Sequence, residues 1–226
     1  MRDLLYKEFR LCMQPLTLIF YSFVLMLLIP NYMYLVPAFF TTNAIFNLFQ
    51  SAVTNNDLAF TVMLPIGKKD AVKGRYMFVV LIELVTVLLY VPMILLNNLI
   101  VPQPTHLFAA CPTLIGGVLL VFAVFNSVFL PGFYKTGYKT GKPFLLSSIA
   151  VFLCIFLFEG FFMAAKLLSD TVWIAAKITD TFNCIPKDGV TLAYQLIAAA
   201  VCMLAYAGAT ALSCRVSQKR LEKVDL

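Results

Sequence analysis

The chain has 226 residues, of which 62% are hydrophobic and 12% charged, with a net charge of +6 and a mean hydropathy of +0.90. A soluble domain of this length cannot bury so much apolar surface behind a polar exterior. Apolar segments recur to residue 212, and the first lacks a small-residue cleavage site, which argues against a cleaved signal peptide before a polar mature region. The apolar runs are continuous rather than alternating, so we expect an all-α polytopic membrane protein.

The first 15 residues, which include "RDLLYKEFRLCMQ", place apolar side chains near one face of a helix and basic side chains toward the others. This pattern predicts an interfacial helix on the inner membrane surface, after which Pro15 turns the chain inward. A basic tail without fixed structure remains the alternative.

Six membrane spans are predicted along the chain. Four runs of about 20 or more apolar residues are clear, at 77–100, 107–131, 144–168 and 190–212. The region 16–53 is too long for one helix and is interrupted at Pro30, so it predicts two spans, at 16–30 and 32–53.

The distribution of basic residues supports this division. With six spans, fourteen Lys and Arg residues lie on the cytoplasmic side and three on the outer side, and both termini, including the tail 213–226, are cytoplasmic. The positive net charge is therefore explained by orientation in the membrane and requires no nucleic-acid partner.

The cytoplasmic segment 54–76 combines an apolar run with a cluster of charge. Residues 57–63 can form a short helix that presents Leu58, Phe60 and Met63, and Leu64-Pro65 ends it. The charged side chains follow directly: Lys68, Lys69, Asp70 and Lys73. The cluster suits either a plain positive-inside anchor or the rim of a contact with another protein or with anionic lipid.

The outer segment 169–189 carries Trp173, Ile174, Ile178 and Phe182 at roughly helical spacing. It predicts a short amphipathic helix that lies in the outer interface. Cys111 and Cys184 both fall on the outer side in this topology, and either a disulfide between them or two free thiols remains open.

No catalytic, metal or cofactor site can be assembled from the sequence. His106 has no second ligand nearby, and there is no HExxH motif. The stretch "GYKTGK" has the wrong spacing for a phosphate-binding loop, and Pro143 stands where that loop needs Ser or Thr.

Two carboxyl groups fall within predicted spans, Glu83 and Glu159. A charge at that depth is costly unless it is neutralised, paired or hydrated, so both side chains should point into the bundle or a cavity. Each suits a substrate path or a structural hydrogen bond between helices. Asn126 and Gln195 suit helix packing better than substrate contact.

Small and aromatic residues suggest how the helices pack. Gly116-Gly117 and the run 205–211 predict faces that allow close helix approach. Phenylalanines recur in spans two and five, where they could line a lateral path or simply pack against each other: Phe39, Phe40, Phe46, Phe49, Phe152, Phe156 and Phe158.

The order of these parts resembles an ATP-binding cassette permease of the type-2 export class. The resemblance is closest to compact six-helix bacterial permeases that export amphipathic and antimicrobial peptides, several of which have an "LP-I/V-S-R/K-K/R" segment leading to "K-Y" at the third span. This chain has Leu64-Pro65-Ile66-Gly67-Lys68-Lys69 and then Arg75-Tyr76, with Gly67 in place of the usual Ser and Asp57 where Glu is common.

The resemblance implies a half-transporter in the bacterial plasma membrane, paired with an identical or different second permease chain. ATP and Mg²⁺ would bind a separate ATPase subunit. The segment between spans two and three would act as the coupling helix that docks into that ATPase. The residues it assigns to the docking segment are Asp57, Leu58, Phe60, Met63, Leu64, Pro65, Lys68, Lys69, Asp70 and Lys73.

Two other functions fit six spans without an ATPase domain. One is the substrate-binding membrane subunit of a vitamin uptake system, which would lack the basic coupling segment. The other is an intramembrane enzyme that uses Glu83 or Glu159. This function would be excluded if replacing both residues with Gln left the activity in cells unchanged.

Overall fold

The computed structural model describes residues 15–30, 32–55, 67–100, 110–136, 139–169, 171–186 and 188–222, and every regular element among them is helical. The all-α expectation is therefore confirmed. In chain order the helices are α1 (Pro15–Ser22), which continues as a 3-10 helix (Phe23–Leu28), α2 (Val36–Thr54), α3 (Lys68–Ile100), α4 (Thr113–Lys135), α5 (Gly141–Leu167), α6 (Trp173–Phe182) and α7 (Gly189–Glu222). Residues 1–14 of the predicted interfacial helix and the docking residues at positions 57–65 lie outside the described ranges.

Four of these helices, α3, α4, α5 and α7, are long and apolar enough to cross a membrane. The apolar segment Pro15–Leu28 is shorter, and α2 has 19 residues with several Thr and Asn side chains. The helices thus occupy the six predicted regions, while a count of six spans stays a prediction.

The helical structure is interrupted between α1 and α2, where Pro30 was expected to divide the first apolar region. Three side-chain hydrogen bonds from α3 hold this break: Asn97 Nδ2 donates to the Leu27 carbonyl at 2.6 Å and to the Tyr34 hydroxyl at 3.2 Å, and the Tyr90 hydroxyl donates to the Tyr34 carbonyl at 3.2 Å. Irregular backbone inside a bilayer requires such partners, because no water is present to satisfy it.

Several helix boundaries differ from the sequence prediction. Residues 68–76, assigned to a loop, form the first turns of α3, and the helix α7 continues through most of the predicted tail to Glu222. The two helix ends support each other, since Lys69 Nζ lies 3.0 Å from Glu222 Oε1. Helix α4 begins at Thr113 rather than at residue 107, and it continues to Lys135 rather than ending at 131.

Helix α4 lies at the centre of the bundle and packs against α5 and α7. A Cβ atom on Gly116 would lie 3.2 Å from Cys202 Sγ of α7, and one on Gly117 would lie 2.9 Å from the Phe158 ring of α5. The glycine pair therefore permits close approach on two sides, as predicted. The same prediction for 205–211 is wrong at Gly208, which has open space where its Cβ would be.

The outer segment contains the helix α6, as the periodicity predicted. Trp173 and Ile174 are exposed, while Ile178 and Phe182 pack against the core. Asp180 and Asp188 are exposed, and Asp170 lies outside the described ranges.

Candidate functional site

Glu83 of α3 lies at the centre of a buried polar contact between three helices. Its side chain is 0% exposed, and Oε2 accepts hydrogen bonds from the Tyr206 hydroxyl of α7 at 2.5 Å and from Asn126 Nδ2 of α4 at 2.9 Å. The expectation that Glu83 points into the bundle is confirmed. One carboxyl oxygen thus joins α3, α4 and α7.

The same hydrogen-bond network continues along α7 toward the positively charged helix ends. Asn126 Nδ2 lies 3.4 Å from Thr210 Oγ1, and Ser213 Oγ donates to the Asn126 carbonyl at 2.5 Å. The Tyr76 hydroxyl of α3 lies 2.8 Å from Ser213 Oγ and 2.7 Å from Ser217 Oγ. We call these seven residues the polar network: Tyr76, Glu83, Asn126, Tyr206, Thr210, Ser213 and Ser217.

Two acceptors of the network have no hydrogen-bond partner among the described residues. They are Glu83 Oε1 and Asn126 Oδ1, both buried. Unsatisfied buried acceptors are uncommon and costly. The network therefore has capacity to accept a further donor between α3 and α4.

Glu159 of α5 has a different environment and a structural partner. It is 3% exposed, and its Oε1 accepts the backbone N–H of Leu35, the residue that precedes α2, at 2.9 Å. The first N–H groups of a helix have no partner within the helix, and a carboxyl group is favourable at that end. Glu159 therefore caps α2, and no described hydrogen bond joins it to Glu83.

Gln195, predicted as a packing group, attaches the outer segment to α7. Its Nε2 donates to the carbonyls of Thr181 and Cys184, at 2.9 Å each. No disulfide joins Cys184 to Cys111 in this structure, and Cys111 Sγ donates to the Phe182 carbonyl at 3.3 Å. Cys111 precedes the span of α4, and burial raises the pKa of its thiol to about 11, which favours the protonated thiol over the nucleophilic thiolate.

The charged cluster that follows the predicted coupling residues belongs to α3. Lys68 begins the helix, Lys69 pairs with Glu222, and Lys73 Nζ lies 3.6 Å from Asp70 Oδ1. Arg75, one of the cations counted on the cytoplasmic side, belongs to the same helix but is buried. Its side chain is 4% exposed and lies over the Phe49 ring of α2, with the guanidinium carbon 5.4 Å from the ring centroid.

The aromatic stripes of α2 and α5 meet each other. The ring centroids of Phe39 and Phe152 are 4.4 Å apart, and Phe46 stacks on Phe144 at 3.9 Å. Phe156 instead is exposed on the outside of α5. In this structure the rings of α2 therefore pack against α5, and a lateral path between these helices is closed at these contacts.

Sequence reasoning missed most members of the polar network. Tyr206, Thr210, Ser213 and Ser217 recur every three or four residues on α7, which places them on one helix face. This period of hydroxyl groups on an apolar helix is the signal that could have identified them. Tyr76 offered no such signal, because it was assigned to a loop.

Comparison with known proteins gives one match. The family model described as ABC-2 family transporter protein matches residues 3–218. Searches of curated proteins and of solved structures found no match. The family comprises membrane permeases of ABC transporters, which work with a partner ATPase subunit and are generally not catalytic themselves. The match spans nearly the whole chain and agrees with the four long apolar helices of a multi-pass membrane protein, so this chain belongs to the ABC-2 transporter family.

Proposed function

We propose that the chain is the membrane half of an ATP-driven exporter and that residues 54–76 receive the power stroke of the ATPase. The observation that supports this most is the continuity of α3. The helix begins at Lys68, so it includes the charged residues of the docking segment, and it continues to Ile100 over 33 residues, which is about 50 Å at 1.5 Å per residue. A displacement at the ATPase contact would therefore be carried into the bundle by a helix that starts there.

The polar network supports transmission from α3 to the rest of the bundle. Tyr76 connects α3 to α7 close to the proposed ATPase contact, and Glu83 connects α3 to both α4 and α7 deeper in the bundle. Thr41 and Thr86 join α2 to α3 at 3.2 Å. Hydrogen bonds between membrane helices are modest individually, but here several act on the same helix. We infer that α3, α4 and α7 shift together.

The proposed substrate is amphipathic or hydrophobic, such as a toxin or antimicrobial peptide. The seam between α2 and α5 is lined by phenylalanine rings, including the Phe39–Phe152 and Phe46–Phe144 pairs. Aromatic walls suit a substrate with a large apolar face. In this proposal, movement of α2 and α5 apart opens the seam, and a second permease chain, identical or different, completes the path.

The coupling step is tested by the double substitution Leu58→Asp and Phe60→Asp. The chain is co-expressed with its partner ABC ATPase, purified and reconstituted into liposomes. We expect loss of ATPase co-purification and of ATPase stimulation, because two carboxylates would enter an apolar contact. The matched control is Trp173→Asp with Ile174→Asp, which adds the same charge at exposed positions of α6. Full stimulation in the Leu58/Phe60 variant would disprove the coupling assignment.

Direction and substrate class need a separate measurement. Inside-out vesicles that contain the permease and its ATPase are given ATP and a fluorescent amphipathic helical peptide. ATP-dependent accumulation inside these vesicles is the result expected for an exporter. Accumulation of a vitamin in right-side-out vesicles, without any effect on the peptide, would instead support an uptake subunit.

A further inference from the structure

A groove of about 630 Å³ lies between α3 and α7 on the surface of the bundle, outside the seam assigned to the substrate. Its walls are almost entirely apolar and include Val80 and Leu84 of α3 and Ala207 and Ala211 of α7. The alanines leave a trough because their side chains are too short to reach α3. A volume of this size falls within the range of about 300 to 1,000 Å³ typical of small-molecule sites.

The one charged side chain that lines the described groove is Lys73, at the end of α3 where the helix begins. From Lys73 to Leu84 the groove follows eleven residues of helix, or about 16 Å. One leaflet of a bilayer contributes about 15 Å of the hydrocarbon core. The groove thus has the length of one leaflet, with a cation at its mouth and hydrocarbon side chains beyond it.

The helix ends beside the mouth of the groove carry a net positive charge in sequence. Positions 68–73 of α3 hold three cations and one carboxylate, and positions 215–222 of α7 hold three cations and one carboxylate, while Arg75 is buried over the Phe49 ring and does not contribute. The pair Lys73–Asp70 is exposed and 3.6 Å long, a type of pair that contributes little stability and yields readily to a stronger partner. Anionic headgroups of the cytoplasmic leaflet are attracted to such clusters.

We propose that this groove binds one acyl chain of an anionic phospholipid from the cytoplasmic leaflet, with the lipid phosphate paired to Lys73. The site shares Lys73 with the proposed docking segment but is separate from the seam assigned to the exported substrate, and its tests measure lipid rather than ATPase activity. Tyr206 and Thr210 line the groove and also belong to the polar network. A bound chain therefore covers the network on its lipid-facing side.

The experiment uses the full chain in nanodiscs that contain phosphatidylglycerol with a diazirine in its acyl chain. After illumination, we expect labelled peptides from residues 77–84 and 207–214, and weaker labelling there by the matching phosphatidylcholine probe. Labelling confined to other helix faces would overturn the proposal. This measurement needs no substitution, so misfolding cannot obscure it.

Variants test the two halves of the site separately by native mass spectrometry of retained phosphatidylglycerol. We expect Lys73→Glu to weaken retention at least about five-fold, the effect of one lost cation near an anionic lipid, and Ala207→Trp to abolish it by filling the groove. Lys142→Glu and Ala205→Trp are the controls, since both residues are exposed and neither lines the groove. Equal retention in all four variants would overturn the proposal.

A second copy of the chain is the alternative occupant. Cys214 lines the groove and is free, so a short bis-maleimide would join two copies through Cys214 if they met there. Efficient cross-linking in nanodiscs would overturn the lipid assignment. No cross-linking, together with acyl-chain labelling of the groove, is the expected result.

Discussion

The buried cap that Glu159 provides for α2 leads to a stability prediction with a built-in control. Leu35 is 0% exposed, and its backbone N–H donates to Glu159 Oε1 at 2.9 Å. The side chain of Leu35 cannot cap the helix, and Pro37 in the first turn lacks an N–H of its own. The carboxyl oxygen of Glu159 is thus the acceptor on which this helix end depends.

Replacing Glu159 with Leu removes the acceptor and leaves the Leu35 N–H buried and unsatisfied. An unsatisfied buried donor costs about 1 to 3 kcal/mol. Replacing Glu159 with Gln keeps a carbonyl oxygen at a similar position and removes the ionisable group. Because both variants lack the carboxyl, their difference isolates the acceptor. We expect the free energy of unfolding of the Leu variant to lie about 1 to 3 kcal/mol below that of the Gln variant.

The assay is reversible unfolding in mixed micelles of dodecyl maltoside and sodium dodecyl sulfate, followed by circular dichroism. Hydrogen exchange of the peptide that contains Leu35 adds a local measurement. Exchange there should be about 5- to 150-fold faster in the Leu variant than in the Gln variant, which is the same free energy expressed as an opening equilibrium. Equal unfolding and equal exchange in the two variants would refute the cap. Loss of transport in the Gln variant at unchanged stability would give Glu159 a role beyond the cap.

Two further predictions concern contacts between helices of the bundle. In a double-mutant cycle of Glu83→Gln and Tyr206→Phe, measured by the same unfolding assay, we expect a coupling free energy of about 0.6 kcal/mol and at most about 1.7 kcal/mol. If the two substitutions changed the free energy of unfolding additively, the 2.5 Å contact would be contradicted. Gly117→Ala should destabilise the protein by about 1 to 3 kcal/mol, because the new Cβ would lie 2.9 Å from the Phe158 ring. Gly160→Ala, at a position with open space, should instead stabilise the helix by about 0.5 to 1 kcal/mol. If the Gly160→Ala variant were less stable than the Gly117→Ala variant, the packing described here would be contradicted.

Much of the helical architecture could be predicted because span formation is a local property. In hydrocarbon every backbone N–H and C=O must be satisfied within its own helix, so an apolar run of sufficient length is enough to identify a span. Pro30 likewise predicted the break between α1 and α2, since proline lacks an amide hydrogen. The short helix α6 followed from the spacing of its apolar residues. The errors lay at helix ends such as residues 68–76, where contacts between α3 and α7 extend both helices beyond their apolar cores.

The candidate site was predicted only in part. Burial of Glu83 and Glu159 followed from the cost of placing a carboxyl group in hydrocarbon. Their different roles did not, because each role depends on a partner far away in the chain: Tyr206 is 123 residues from Glu83, and Leu35 is 124 residues from Glu159. The same holds for Arg75, whose burial depends on the Phe49 ring of a different helix.

The amino-acid sequence by itself therefore determined the membrane class of the protein, the regions where its helices form and the burial of Glu83 and Glu159. Composition and proline placement act within one segment, and each can be evaluated without knowing the neighbouring helices. Only the tertiary structure decided which helices meet, at what rotation and at what height. The pairing, rotation and relative height of the helices made Glu159 a helix cap and placed Glu83 at the contact of three helices. They also left a groove beside Ala207 and Ala211.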